Sequence, residues 1–383
     1  MDLEGVTILD LSQLLPGPYA TQLLADFGAD VIKIEKPSTG DPARTLSFSD
    51  GDRSLFETVN RGKRSVAIDL KSREGQEIFY SLVGNADAVL EQFRPGVVDR
   101  LGIDYGTLTD HTDNLVYCSL SGYGQTGPYA DRAGHDINFV GLAGLLDVTR
   151  EDEAANPQIP GYQVADMAGG LFAAFSLLGG ILSQALGNGG GYIDVSMTDV
   201  VASFSQTLTA EALSEGNPRP GKTPLTGALP WYDSYETADG AYVTLGALEP
   251  VFWEQFCHEV DRDDLVAVHG TEDPAKREAL RAELADLFAQ QPRDEWVKRL
   301  SNDTTTAPVL TPAEALEHPQ IATRVVNRPE AAPPRVGFPA CGKSLPESDE
   351  SIPVHGEHTD EVLHEAGYDE NIISQLRENG TVV

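Results

Sequence analysis

The chain has 383 residues, with 60 acidic side chains against 27 basic and a formal net charge of −33 at pH 7. A surface so acidic repels nucleic acid and anionic lipid, which argues against both as partners. At roughly 100–200 residues per domain, the length asks for two or three domains.

The opening MDLEGVTILDL carries acids where a leader peptide carries bases. Cys118, Cys257 and Cys341 lie far apart, no pair has metal-ligand spacing, and a disulfide framework would need more of them. A cytoplasmic protein without a metal is expected. The acids are dispersed among apolar segments, and only 8 of the 27 bases are lysine. Such a surface fits a salt-loving source, because the Debye length falls to about 3 Å at 1 M salt.

Taken in order, VTILDL predicts a strand, PGPYATQLLADFG a turn and helix with Gly28 near its end, and ADVIKIE a second strand. SVAIDL (strand), REGQEIFYSLVGNA (helix), DAVLEQF (strand) and LVYCSLSGYG (strand) continue the alternation. Strands alternating with helices predict an α/β fold with a mostly parallel sheet. No G-x-G-x-x-G opens a helix, so a dinucleotide site of the usual kind is not indicated. Residues 150–161 read as a polar loop. A helix begins near Asp166, and GGGYIDVSM is a further strand. The apolar run from Gly169 to Leu186 is read as a buried helix.

Residues 214–228 are rich in Pro and Gly and predict a linker. WYDSYETADGAYVTLGAL then predicts a hairpin about Asp239-Gly240, followed by helices over 251–260 and 276–300. The expected organisation is a large domain over 1–213, the linker 214–228, a smaller α+β domain over 229–330, and a C-terminal segment over 331–383.

Four features bear on chemistry. Between Lys33 and Arg73 nine bases face six acids, a local excess of positive charge in an acidic chain. That suits a small polyphosphate ligand, or else a set of surface ion pairs. His135, in GHD, has the titration range of a general base, though a loop histidine also serves as a structural hydrogen bonder. Asp166, in VADMAGG, is placed to cap its helix; in an apolar cleft the same carboxylate is a base or nucleophile. The amides of Gly169 and Gly170 are candidate oxyanion donors. Glu249, in GALEP, reads as an exposed loop residue or a second carboxyl beside Asp166.

These segments, in this order and over nearly the whole chain, resemble the class III CoA-transferase family, which also contains the α-methylacyl-CoA racemases. ILDLSQLLPGPYATQLLADFGADVIKIEKPSTGDPAR, NRGKRSVAIDL, FRPGVVDRLGIDY and SLSGYGQTGPYADRAGHDINF carry the likeness, with VADMAGG, GGGYIDVSM and ADGAYVTLGALEP after them. The resemblance implies a Rossmann-like large domain completed by the C-terminal segment, a small domain, and an interlocked homodimer. It implies an acyl-CoA substrate rather than a bound cofactor, with Lys36, Asn60, Arg61, Lys63 and Arg94 along the CoA. It makes Asp166 the catalytic aspartate. RAGHDINF and GALEP lean towards racemisation of a 2-methylacyl-CoA, with His135 and Asp166 exchanging the α-proton and Glu249 beside them. The other chemistry is CoA transfer through an aspartyl-CoA thioester. It acts on small dicarboxylates such as succinyl-CoA and mesaconate, including transfer within one mesaconyl-CoA. A regulatory nucleotide-binding module is a further reading, but it needs no ordered set of two carboxyls and a histidine.

Overall fold

The computed structural model describes residues 3–46, 54–214, 218, 223–327, 335–340 and 351–383. The chain divides into two compact units, Met1–Leu146 with Ile159–Gln206 and Asn327–Val383, and Asp147–Gln158 with Thr207–Val326.

The first unit runs β1 (Thr7–Asp10), α1 (Pro16–Ala25), β2 (Asp30–Glu35), α2 (Leu55–Val59), β3 (Arg64–Ala67), α3 (Arg73–Val83) and β4 (Ala88–Glu91). It continues through α4 (Val97–Leu101), α5 (Tyr105–Leu108), β5 (Val116–Ser121), α6 (Asp136–Leu142), α7 (Leu145–Val148), α8 (Val164–Ala185), β6 (Gly191–Ser196) and α9 (Met197–Ser203). The expected parallel sheet is present. Its six strands lie in the order β3-β2-β1-β4-β5-β6, and every pairing is parallel.

The pleat sorts the side chains. Ile8, Val31, Leu90 and Cys118 face one core with α1, α8 and α9. Their neighbours Leu9, Ile32, Val89 and Tyr117 face the other core, with α3 and the C-terminal segment. Both faces are thus apolar, as a covered parallel sheet requires. From the C-terminal segment, Val362, Leu363, Ile373 and Leu376 enter that second core.

α8 is long and apolar enough to cross a bilayer by composition alone. One of its faces packs into the first core through Ala165, Ala173, Leu177 and Ile181.

The second unit runs through α10 (Gln206–Ala212), β7 (Tyr232–Glu236), β8 (Tyr242–Gly246), α11 (Pro250–Glu259), α12 (Pro274–Phe288), α13 (Arg293–Arg299), β9 (Thr306–Val309), α14 (Pro312–Glu317) and α15 (Pro319–Arg324). β7 and β8 form the predicted hairpin, with Gly240 at φ 75° in its turn, and β9 adds a third antiparallel strand. The helix predicted over 276–300 is two helices, because Pro292 cannot continue α12 and instead precedes α13. The main part of the unit begins at Thr207, before the Pro/Gly-rich stretch, and Asp147–Gln158, expected in the large domain, also belong to it. Residues 215–217 and 219–222 of that stretch, and 331–334 and 341–350, lie outside the described residues.

Candidate active site

In an open parallel sheet, ligands gather beyond the strand C-termini where the strand order reverses. Here the reversal lies between β1 and β4. A cavity of about 290 Å³ is lined by Leu14 and Pro16 beyond β1, Gln92 to Pro95 beyond β4, and Ser121 to Tyr123 beyond β5. Arg132, Gly134, His135 and Asp166 complete its wall. A second cavity, also about 290 Å³, lies beyond β1, β2 and β3 and is lined by Gln13, Lys36, Ser38, Leu70, Lys71 and Phe93 among others. Phe93 lines both cavities, so they adjoin.

Asp166 is not the cap of its helix. α8 begins at Val164, and Gln163 at the cap position makes no side-chain capping bond. The amides of Ala165 and Asp166 donate instead to Oδ1 of Asp136, at 2.7 and 3.1 Å. With the capping done from α6, the half-buried Asp166 carboxyl is left for the cavity. Burial, and then the charge of Asp136, push its pKa up to about 7.

His135 precedes α6 and is exposed. Its backbone N–H donates to Oδ1 of Asn138 at 3.0 Å. Phe139 beneath it is pinched between two glycines: a Cβ on Gly122 or Gly134 would fall 2.3 or 2.6 Å from its ring. Only glycine lets the GHD loop lie this close to the end of β5. Leu14, in the loop after β1, adopts φ 66°, a conformation uncommon outside glycine. Its amide is held by Asp41 Oδ1 at 3.1 Å.

Gly169 and Gly170 do not form an oxyanion site. Both are buried within α8, where each N–H belongs to the helix ladder. Their role is close packing. A Cβ on Gly169 would meet Met197 at 2.5 Å, and one on Gly170 the Pro16 carbonyl oxygen at 2.4 Å. The cavity wall holds a different donor, the buried Ser121 hydroxyl, which has no hydrogen-bond partner among the described residues. SLSGYG contained it, but nothing in the sequence distinguished Ser121 from its neighbours.

The basic segment is largely neutralised within the fold. Lys63 is buried, with Nζ 2.8 Å from Asn60 Oδ1, 2.7 Å from Thr21 Oγ1 and 3.1 Å from Asp10 Oδ2. Lys33, also buried, donates to the Ser12 carbonyl at 2.7 Å and pairs with Asp41 at 3.2 Å. Arg61 pairs with Asp26, Arg44 with Glu35, and Arg64 with Asp30. Burial lowers the Lys63 pKa to about 8, Asp10 partly offsetting it. Burial would raise Asp10, but Lys33 and Lys63 outweigh it and hold its carboxyl well below the usual range. Asn60, Arg61 and Lys63 are thus buried and bonded within the fold. Lys36, Lys71 and Arg94 are exposed on the two cavities and have no ion-pair partner among the described residues. Lys71 lay within the basic segment but was not singled out by the sequence. Arg53 lies outside the described residues.

The structure thus brings His135, Asp166 and Arg94 together and adds Ser121, Arg132 and Asp136. Glu249 belongs to the second unit, where it is the exposed N-cap residue of α11 and its side chain makes no capping bond.

Residues 3–359 match the profile of CoA-transferase family III. The chain is 32% identical to human alpha-methylacyl-CoA racemase, over 98% of this chain and 96% of that protein. It is 33% identical to a succinyl-CoA:mesaconate CoA-transferase of Haloarcula hispanica, over 95% and 96%. A crystal structure of a CAIB/BAIF family protein from Brucella suis superposes with a TM-score of 0.82 at 29% identity, covering 95% of this chain and 99% of that one. The chain belongs to CoA-transferase family III.

Proposed function

We propose that this family III enzyme racemises 2-methylacyl-CoA thioesters by moving the α-proton between His135 and Asp166. The observation that carries the reading is one cavity holding a histidine and a carboxyl whose pKa is raised to about 7. A carboxyl that is partly protonated at neutral pH suits proton return better than nucleophilic attack.

The nucleotide end of the substrate is assigned to the cavity with Lys36 and Lys71. The thioester lies beside Phe93 and Arg94. One of the two groups removes the α-proton, leaving an enolate, and the other protonates the opposite face; the roles exchange for the reverse reaction. The enolate oxygen needs a donor, and the unpartnered Ser121 hydroxyl supplies it in place of Gly169 and Gly170. A homodimer completes the proposal. It is supported by the exposed apolar stripe of α8, in which Phe175 is 70% and Leu182 60% accessible.

CoA transfer through an aspartyl-CoA thioester at Asp166 is the second reading. It is favoured by two arginines, Arg94 and Arg132, on the same cavity wall, which suit a dicarboxylate.

Incubation of a 2-methylacyl-CoA in D₂O at molar salt separates the two. Enzyme-dependent deuterium at Cα, absent with Asp166→Ala and at least about 100-fold slower with His135→Ala, is expected for general acid–base catalysis. No exchange, with hydroxylamine-sensitive labelling of Asp166 by succinyl-CoA, would replace racemisation by transfer.

A further inference from the structure

Resting on the reading of Asp166 as the reacting carboxyl, we propose that Asp136 is the positioning residue of the reaction: it clamps the head of α8 to the head of α6 and so fixes Asp166 relative to His135.

Asp136 follows His135 directly and is the first residue of α6. Its Oδ1 accepts from the amides of Ala165 and Asp166, 29 and 30 residues further along the chain. These are donors that a helix otherwise leaves to its own N-cap residue. α8 has no such residue, since Gln163 makes no capping bond. One carboxylate therefore joins the backbone beneath the proposed acid to the residue next to the proposed base. The two reacting side chains stand at the heads of different helices, and these two bonds tie those heads together. A misplacement of about 1 Å in such a pair is enough to cost roughly 100-fold in rate.

Asp136 also sets the proton affinity of its neighbour. The titratable and charged groups lining the cavity around Asp166 are Arg94, Tyr123, Arg132, His135 and, through its amide bonds, Asp136. Tyr19 and Asp199 sit on the other helices packed against α8. Of these, Asp136 is the charge that raises Asp166, after burial. Removing it moves the Asp166-dependent limb of the pH–rate profile to lower pH, whichever protonation state is active.

The test compares Asp136→Asn and Asp136→Ala with the native enzyme in the deuterium-exchange assay at molar salt, across pH, with Asp166→Ala run in parallel. Asparagine keeps an oxygen for both amides and loses the charge; alanine loses both. The expected result is a kcat reduced roughly 100-fold in Asp136→Ala with KM within about threefold. Asp136→Asn recovers much of that rate and shows the limb displaced to lower pH. Backbone amides near residues 165–166 exchange faster with solvent in the alanine variant only. Native rates and an unmoved limb in both variants would overturn the inference. If those variants are native-like while Asp166→Ala is inactive, only the role of Asp136 falls; if Asp166→Ala is active too, the assignment of Asp166 falls with it. Should Asp136→Ala not fold, the limb position and rate of Asp136→Asn decide alone.

Discussion

Asp166 titrates near 7 in the fold against an ordinary 3.8. Between those values the folded chain holds a proton that the unfolded chain has released. Stability therefore falls as pH rises from about 4 to about 7 and stays lower above, by a few kcal/mol at most at about 1.4 kcal/mol per pH unit. Asp166→Asn should accordingly melt above the native protein at pH 8, and the two should converge near pH 4; thermal scans at both pH values check it. Lys63 is buried, with Asp10 and Asn60 as partners. Lys63→Ala strands part of the buried Asp10 charge and should cost about 3–5 kcal/mol, read by denaturant unfolding. Lys36→Ala, at an exposed position, should leave unfolding unchanged and raise KM for the acyl-CoA.

The decisive element is α8. Its first turn presents Asp166, its middle packs on the sheet, and its glycines admit α1 and α9 to close approach. Alanine at Gly170 gains about 1 kcal/mol of helix propensity. It also drives a methyl to 2.4 Å from the Pro16 carbonyl, which is backbone and cannot swing aside. The clash is expected to win by about 1–3 kcal/mol, measured as a lowered unfolding midpoint for Gly170→Ala. Because Pro16 lines the cavity, that variant should also lose rate. The opposite side of α8 leaves Leu171, Phe175, Leu182 and Leu186 accessible, a stripe at helical spacing. Phe175→Asp should shift the proposed dimer to monomer in light scattering at molar salt. An unchanged mass would remove this stripe from the proposed interface.

For the whole molecule, the net charge of −33 decides behaviour in solution. Self-repulsion at this density is relieved only when counter-ions screen it, over about 10 Å at 0.1 M and about 3 Å at 1 M. The melting temperature should rise steeply between 0.1 and 2 M KCl; a flat response would remove the salt-adaptation reading.

The alternation of apolar strands and helices was enough to specify the parallel sheet, since strands covered on both faces must be apolar throughout. The Asp-Gly turn specified the hairpin for a similarly local reason. Asp166 and His135 could be named as candidates because their motifs are contiguous, and both line one cavity. The sequence misled where function depends on what lies across the fold. It offered the bases of NRGKR to the ligand, but Lys63 and Arg61 are turned inward by Asp10 and Asp26, some 35 to 53 residues away. It placed Asp166 as a cap and Gly169 and Gly170 as oxyanion donors. A helix starting two residues before Asp166 engages both glycine amides, and the capping falls to Asp136 on another helix. Local pattern fixes which residues form an element and which face is apolar, because those depend on neighbours a few positions apart. Which polar groups remain free to meet a substrate depends on partners brought together only by folding, and that was decided by the tertiary structure alone.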